Sequence, residues 1–133
     1  MTRLPTVLIV DDEPQIRTLA RRILERGGYR VSEAGGGPEA IALLEAEGAP
    51  PDLLISDVNM PELGGVEMVE QIRATWSDLK VLYVSGYVNS LMRGRKSLAD
   101  NEAFLEKPYS ATGLLEAVSL LLFGTTKGKA SEG

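Results

Sequence analysis

The sequence contains no cysteine and no histidine. Without cysteine there is no disulfide and no thiolate metal site, which agrees with a reducing, cytoplasmic setting. Without histidine there is no histidine-based triad, no imidazole zinc site and no phosphohistidine on this chain. Any metal must then be held by oxygen ligands, which points to Mg²⁺, Mn²⁺ or Ca²⁺. No apolar stretch approaches membrane-spanning length, so no membrane insertion is expected. The opening Met1-Thr2-Arg3-Leu4-Pro5 lacks the longer apolar segment of a secretory signal. A net charge of −5 argues against a general nucleic-acid binder, because a phosphate backbone needs a basic face.

What is present is an alternation of short apolar runs with helix-period stretches. At 133 residues the chain reads as one domain over 1–124, followed by a polar tail, 125–133, expected to be disordered. Strands are expected at 6–10, 29–34, 53–56, 80–84 and 103–106. The second of these is more polar, which places it nearer an edge. Helical spacing runs from Pro14 to about Arg26, with Ile16, Leu19, Ala20, Ile23 and Leu24 inward. A second helix covers 38–47, and a third runs from Gly65 to about Trp76. The stretch that opens on Val88 and closes on Leu98 is the weakest helix, diluted by Gly94 and by Arg93, Arg95 and Lys96. Ser110 caps a last helix, with Ala111, Leu114, Leu115, Val118, Leu121 and Leu122 inward. Five strands alternating with five helices imply an α/β domain with a parallel sheet.

Four of the apolar runs stop at residues with chemical potential. Val7-Leu8-Ile9-Val10 meets Asp11-Asp12-Glu13, and Leu53-Leu54-Ile55-Ser56 meets Asp57. Val81-Leu82-Tyr83-Val84 meets Ser85, and Ala103-Phe104-Leu105-Glu106 meets Lys107-Pro108. Parallel strands bring these ends to one edge, where α/β sheets bind their ligands. Singly, each has an ordinary reading: Asp12 as a helix cap, Asp57 as a turn initiator, Ser85-Gly86 as a turn, Lys107 as a surface lysine. Together they suit a divalent cation and a phosphoryl group. Clustered carboxylates repel unless a cation lies between them, and a carboxylate can attack phosphorus to form an acyl phosphate.

The same residues carry a family resemblance. Val7 to Glu13, then Asp57-Val58-Asn59-Met60-Pro61 with Gly65, then Ser85-Gly86-Tyr87, then Lys107-Pro108 resembles the receiver domain of bacterial two-component response regulators. The resemblance spans roughly 6–123. It implies a flavodoxin-like, doubly wound domain, with five helices and a five-stranded parallel sheet in the order 2-1-3-4-5. It implies Asp57 as phosphoacceptor and Asp11 and Asp12, with Asp57, as the Mg²⁺ site, Mn²⁺ being the alternative. The Asn59 backbone carbonyl would be a further metal ligand. Ser85 and Phe104 match the switch pair, Lys107 the phosphate-contacting lysine, and Lys107-Pro108 the family's cis peptide.

A receiver takes its phosphoryl group from a phosphohistidine, so the donor would be a sensor histidine kinase or a histidine phosphotransfer protein. Such a domain is a phosphoacceptor rather than an enzyme acting on other substrates. Output would pass to a downstream protein or a dimer partner through the face of residues 88–98, 103–106 and 110–123. The chain would be a stand-alone receiver or a receiver segment of a hybrid kinase. An aspartyl-phosphate-type phosphatase is the alternative, but it wants Asp-x-Asp on the first strand, where this chain has Asp11-Asp12-Glu13. A flavin-binding domain would want hydroxyls and amides there. Gly64 departs from the acidic or polar residue common in the family, and a looser loop is expected. Tyr87 either shields the path of hydrolytic water or packs against the loop. Gly35-Gly36-Gly37 reads as a flexible turn, since the Lys-Ser/Thr ending of a phosphate loop is missing.

Overall fold

Side-chain alternation on the first strand sorts the apolar residues into two layers. Val7 and Ile9 enter one buried cluster and Leu8 and Val10 the other. The structure, a computed structural model, describes residues 3–86 and 101–124. Its elements, in order, are β1 (Thr6–Val10), α1 (Pro14–Arg26), β2 (Arg30–Ala34), α2 (Gly37–Glu47), β3 (Leu53–Asp57), α3 (Gly65–Arg73), β4 (Val81–Ser85), β5 (Glu102–Glu106) and α4 (Ala111–Phe123). The sheet is parallel throughout, in the order β2-β1-β3-β4-β5.

Ala40 and Leu44 of α2 and Met68, Val69 and Ile72 of α3 join Leu8, Val10, Leu54 and Tyr83 on one face. Ala20 and Leu24 of α1 and Leu114 and Val118 of α4 join Val7, Ile9, Ile55 and Val84 on the other. Every residue of β3 and β4 is buried. Covering both faces is what a near-continuous apolar strand requires, and each fully buried Leu or Val is worth about 1.5–3 kcal/mol. Polar β2 lies at the edge, as its sequence indicates.

Several expectations change. The described residues hold four helices, not five; the helix expected at 88–98, with Tyr87 and the basic cluster, and the tail at 125–133 lie outside them. Leu19 is 54% exposed, because Ile16, Ala20, Ile23 and Leu24 already complete the stripe of α1. Ala111, at the first turn of α4, is exposed. Helix α3 ends at Arg73, and Trp76 packs on the core from the turn beyond. Gly37 is no turn residue but the buried first residue of α2.

Ser110 does cap α4, its hydroxyl accepting from the Gly113 amide at 2.9 Å. Asp12 does not cap α1: the N-cap is Glu13, which makes no side-chain cap bond. The Lys107–Pro108 peptide is cis.

Candidate functional site

Strand order determines which loops meet. β1 and β3 are neighbours, but their following helices pack on opposite faces, which opens a crevice at their carboxyl ends. Asp11 follows β1 and Asp57 ends β3. Both side chains are largely buried, and Asp12 beside them is exposed. One carboxylate oxygen from each of Asp11, Asp12 and Asp57 lies within 4.8 Å of the others.

Lys107, just beyond β5, completes the cluster. Its ammonium donates to Asp11 Oδ2 at 3.1 Å and to Asp57 Oδ2 at 3.1 Å. Burial alone would push this lysine down, but the bonds to the two carboxylates outweigh it and hold Lys107 above its ordinary value. The ammonium therefore stays charged. The Lys107 amide also donates to the Ser85 carbonyl at 2.9 Å, which fixes the chain end of β5 beside β4.

Each acid is further held by its own loop. Asp11 Oδ1 accepts from the Glu13 amide at 2.9 Å. Asp57 Oδ1 accepts from the Asn59 amide at 3.2 Å, so this residue both turns the chain and faces the cluster. Gly65 is required by contact: a Cβ there would stand 2.2 Å from the Asp57 carbonyl oxygen. The Ser56 hydroxyl donates to the same oxygen at 2.8 Å.

Ser85 and Phe104 are placed by the register of β4 and β5. Ser85 is buried at the end of β4, one residue beyond Val84, the register partner of Asp57. Phe104 is partly buried and pairs with Tyr83. Alternation puts Tyr83, Ser85 and Phe104 on the α2/α3 face, whereas Asp11, Asp57 and Lys107 follow the parity of the α1/α4 face.

Sequence reasoning missed Arg17. Its Nη1 donates to the Asp11 carbonyl at 2.6 Å and its Nε to Glu33 Oε1 at 3.2 Å, tying the acid-bearing loop to α1 and β2. Nothing in the helical pattern of α1 distinguishes this arginine from its exposed neighbours Arg22 and Arg26.

The donor set fits Mg²⁺, which takes one or two carboxylates and completes its shell with water and phosphate oxygens. Among the described residues, three carboxylates meet one ammonium here, an excess of acidic groups that favours a cation.

The family model described as "Response regulator receiver domain" matches residues 7–119. The chain belongs to that family. This receiver domain is 37% identical over 117 residues to the sensor kinase CckA of Brucella abortus, covering 88% of the chain and 12% of that protein. It is 35% identical over 128 residues to the response regulator MprA of Mycobacterium bovis, covering 95% of the chain and 54% of MprA. The receiver domain thus spans about half the length of one curated relative and a small part of the other. Among solved structures it resembles the response regulator TrrA of Thermotoga maritima in complex with Mg²⁺–BeF. That match has a TM-score of 0.75 and 32% identity, and covers 90% of this chain and all of that one. A receiver domain works in two-component signalling. Among the described residues no helix is long and apolar enough to cross a membrane.

Proposed function

We propose that Asp57 accepts a phosphoryl group from a phosphohistidine and that the resulting charge resets the faces of the domain. In the transfer an Asp57 carboxylate oxygen bonds to phosphorus, the phosphorus–nitrogen bond breaks with its electron pair left on nitrogen, and the imidazole leaves as the neutral ring that carries a proton on its other nitrogen. Water later cleaves the acyl phosphate, returning the carboxylate and inorganic phosphate. The chain has no histidine, so the donor lies outside these 133 residues, on a sensor histidine kinase or a histidine phosphotransfer protein. The relatives include both a sensor kinase and a response regulator, and the receiver acts in either setting.

One arrangement carries this reading: a single ammonium, Lys107, shared between Asp11 and Asp57 inside a cluster of three carboxylates. Asp11 and Asp12, with Asp57 and the Asn59 carbonyl, would hold Mg²⁺ or, less specifically, Mn²⁺. When bound, the cation offsets charge on the transferring oxygens. Lys107 pairs with a phosphoryl oxygen once Asp57 is phosphorylated, and Ser85 supplies a hydrogen bond from β4. Phe104, on the face shared by Ser85, follows that movement.

The domain catalyses only its own phosphorylation and dephosphorylation and acts in the cytoplasm. Its output passes to a protein partner through β5 and α4, where Leu120 is 50% exposed, together with residues 88–98.

Incubation with Mg²⁺ and acetyl phosphate tests the reading. The expected result is an acid-stable, base-labile adduct on the wild type that is absent from Asp57→Ala. No adduct on the wild type, or an equal one on the variant, overturns it.

A further inference from the structure

The start of α2 at Gly37 touches the loop that extends from Asp57. A Cβ placed on Gly37 would meet Leu63 Cδ2 at 2.9 Å, Cβ at 3.0 Å and Cγ at 3.1 Å. Leu63 therefore sits directly on the first residue of α2. The need for glycine is one of contact, since neither Gly36 nor Gly37 has a positive φ. Alanine is the better helix former, so helix propensity alone would favour it at this position.

Leu63 belongs to the β3–α3 loop, which carries Asn59. In that loop Asn59, Pro61 and Glu62 are exposed, and Glu62 holds a positive φ of 69°. The loop is closed by the Leu63 amide on the Pro61 carbonyl at 2.7 Å and by the Gly65 amide on the Val58 carbonyl at 2.9 Å. Val58, Met60 and Leu63 are its apolar anchors on the α2/α3 core, and of these Leu63 meets the bare face of Gly37. A methyl at Gly37 cannot be relieved by turning the tip of Leu63 alone, because Cβ and Cγ are also in the way.

We infer that Gly37 and Leu63 are positioning residues. Their contact sets the height of the Asp57–Gly65 loop, and with it the metal-binding position of Asn59. The inference rests on the proposed Mg²⁺ site, and a displaced supporting residue typically weakens metal binding by roughly tenfold or more.

The test uses the full chain as wild type, Gly37→Ala, Leu63→Ala and Gly36→Ala. Gly36 is the control: a Cβ there would meet only Pro38 Cδ, at 4.0 Å. Mg²⁺ affinity is measured by titration calorimetry, and amide hydrogen exchange at Leu63 and Gly65 is measured without metal. The expected result is Mg²⁺ binding about tenfold weaker and faster exchange in Gly37→Ala and Leu63→Ala, with Gly36→Ala unchanged. Exchange and affinity within about twofold of wild type in both variants would overturn the inference, as would an equal loss in Gly36→Ala. If Gly37→Ala does not fold, Leu63→Ala decides. A wild type that binds no Mg²⁺ would count against the functional reading, while exchange in the metal-free protein still decides the contact.

Discussion

Lys107 Nζ lies 3.1 Å from Asp57 Oδ2, although 50 residues separate them, Asp57 ending β3 and Lys107 following β5. The same ammonium reaches Asp11 Oδ2, so it stands where a cation is needed to keep the two acids together. A metal ion and this lysine thus relieve the same repulsion.

Replacing Lys107 with Met removes that internal cation. Asp11 and Asp57 are largely buried, so both lose a charge-assisted bond that water replaces poorly. Metal-free stability is expected to fall by about 1.5–3 kcal/mol. Mg²⁺ should then restore more stability to Lys107→Met than it adds to the wild type. Urea denaturation with and without Mg²⁺ measures both; equal Mg²⁺ increments would show that the lysine does not stand in for the metal.

The opposite end of the sheet carries a separate ion pair. Arg73 Nη1 donates to Glu102 Oε2, and its Nε and Nη2 donate to the Leu79 carbonyl at 3.3 and 2.7 Å. The Glu102 side chain is 2% exposed. Arg73→Met removes this charge-assisted bond to a buried carboxylate and should cost about 1.5–3 kcal/mol. Because the pair joins α3 to the start of β5, away from Asp57, the folded variant should still form the acetyl phosphate adduct at the wild-type rate. Denaturation and adduct formation, measured side by side, separate the two effects.

Glu33 provides a pH-dependent contribution. The hydrogen bond from Arg21 is the largest influence and, with Arg17, outweighs burial, holding this carboxyl below its ordinary value of 4.5. A depressed folded-state value means that the stabilisation is fully present above about pH 4.5 and is lost as pH falls through the folded-state value. Glu33→Gln should therefore be less stable than wild type at neutral pH, with the gap closing below pH 4.5. Arg21 is 43% exposed, so solvent screening keeps its pair small, about 1 kcal/mol or less. Thermal unfolding from pH 3 to pH 7 checks the trend; a gap that widens with acid would reverse the sign.

The strands and their order of appearance were legible because buried parallel strands leave unbroken apolar runs. The acid pair, Asp57, Ser85 and Lys107 were legible because each ends such a run. Strand alternation, read from the register, adds that Ser85 and Phe104 share a face that Asp11, Asp57 and Lys107 do not. Leu19 misled because a helical stripe has edges, and apolar identity does not say which side of the edge a residue takes.

The sequence by itself determined the chemistry. With no histidine or cysteine, a metal could be held only by oxygen ligands, and carboxylates, a hydroxyl and an ammonium fell at strand ends by local pattern. Only the tertiary structure decided which of these groups meet. Arg17 became a support for Asp11 because β2 brings Glu33 alongside, and Gly37 became a seat for Leu63 because α2 and the β3–α3 loop share one face. Such contacts join residues far apart in the chain through packing, and packing between distant segments has no periodicity that a single sequence displays.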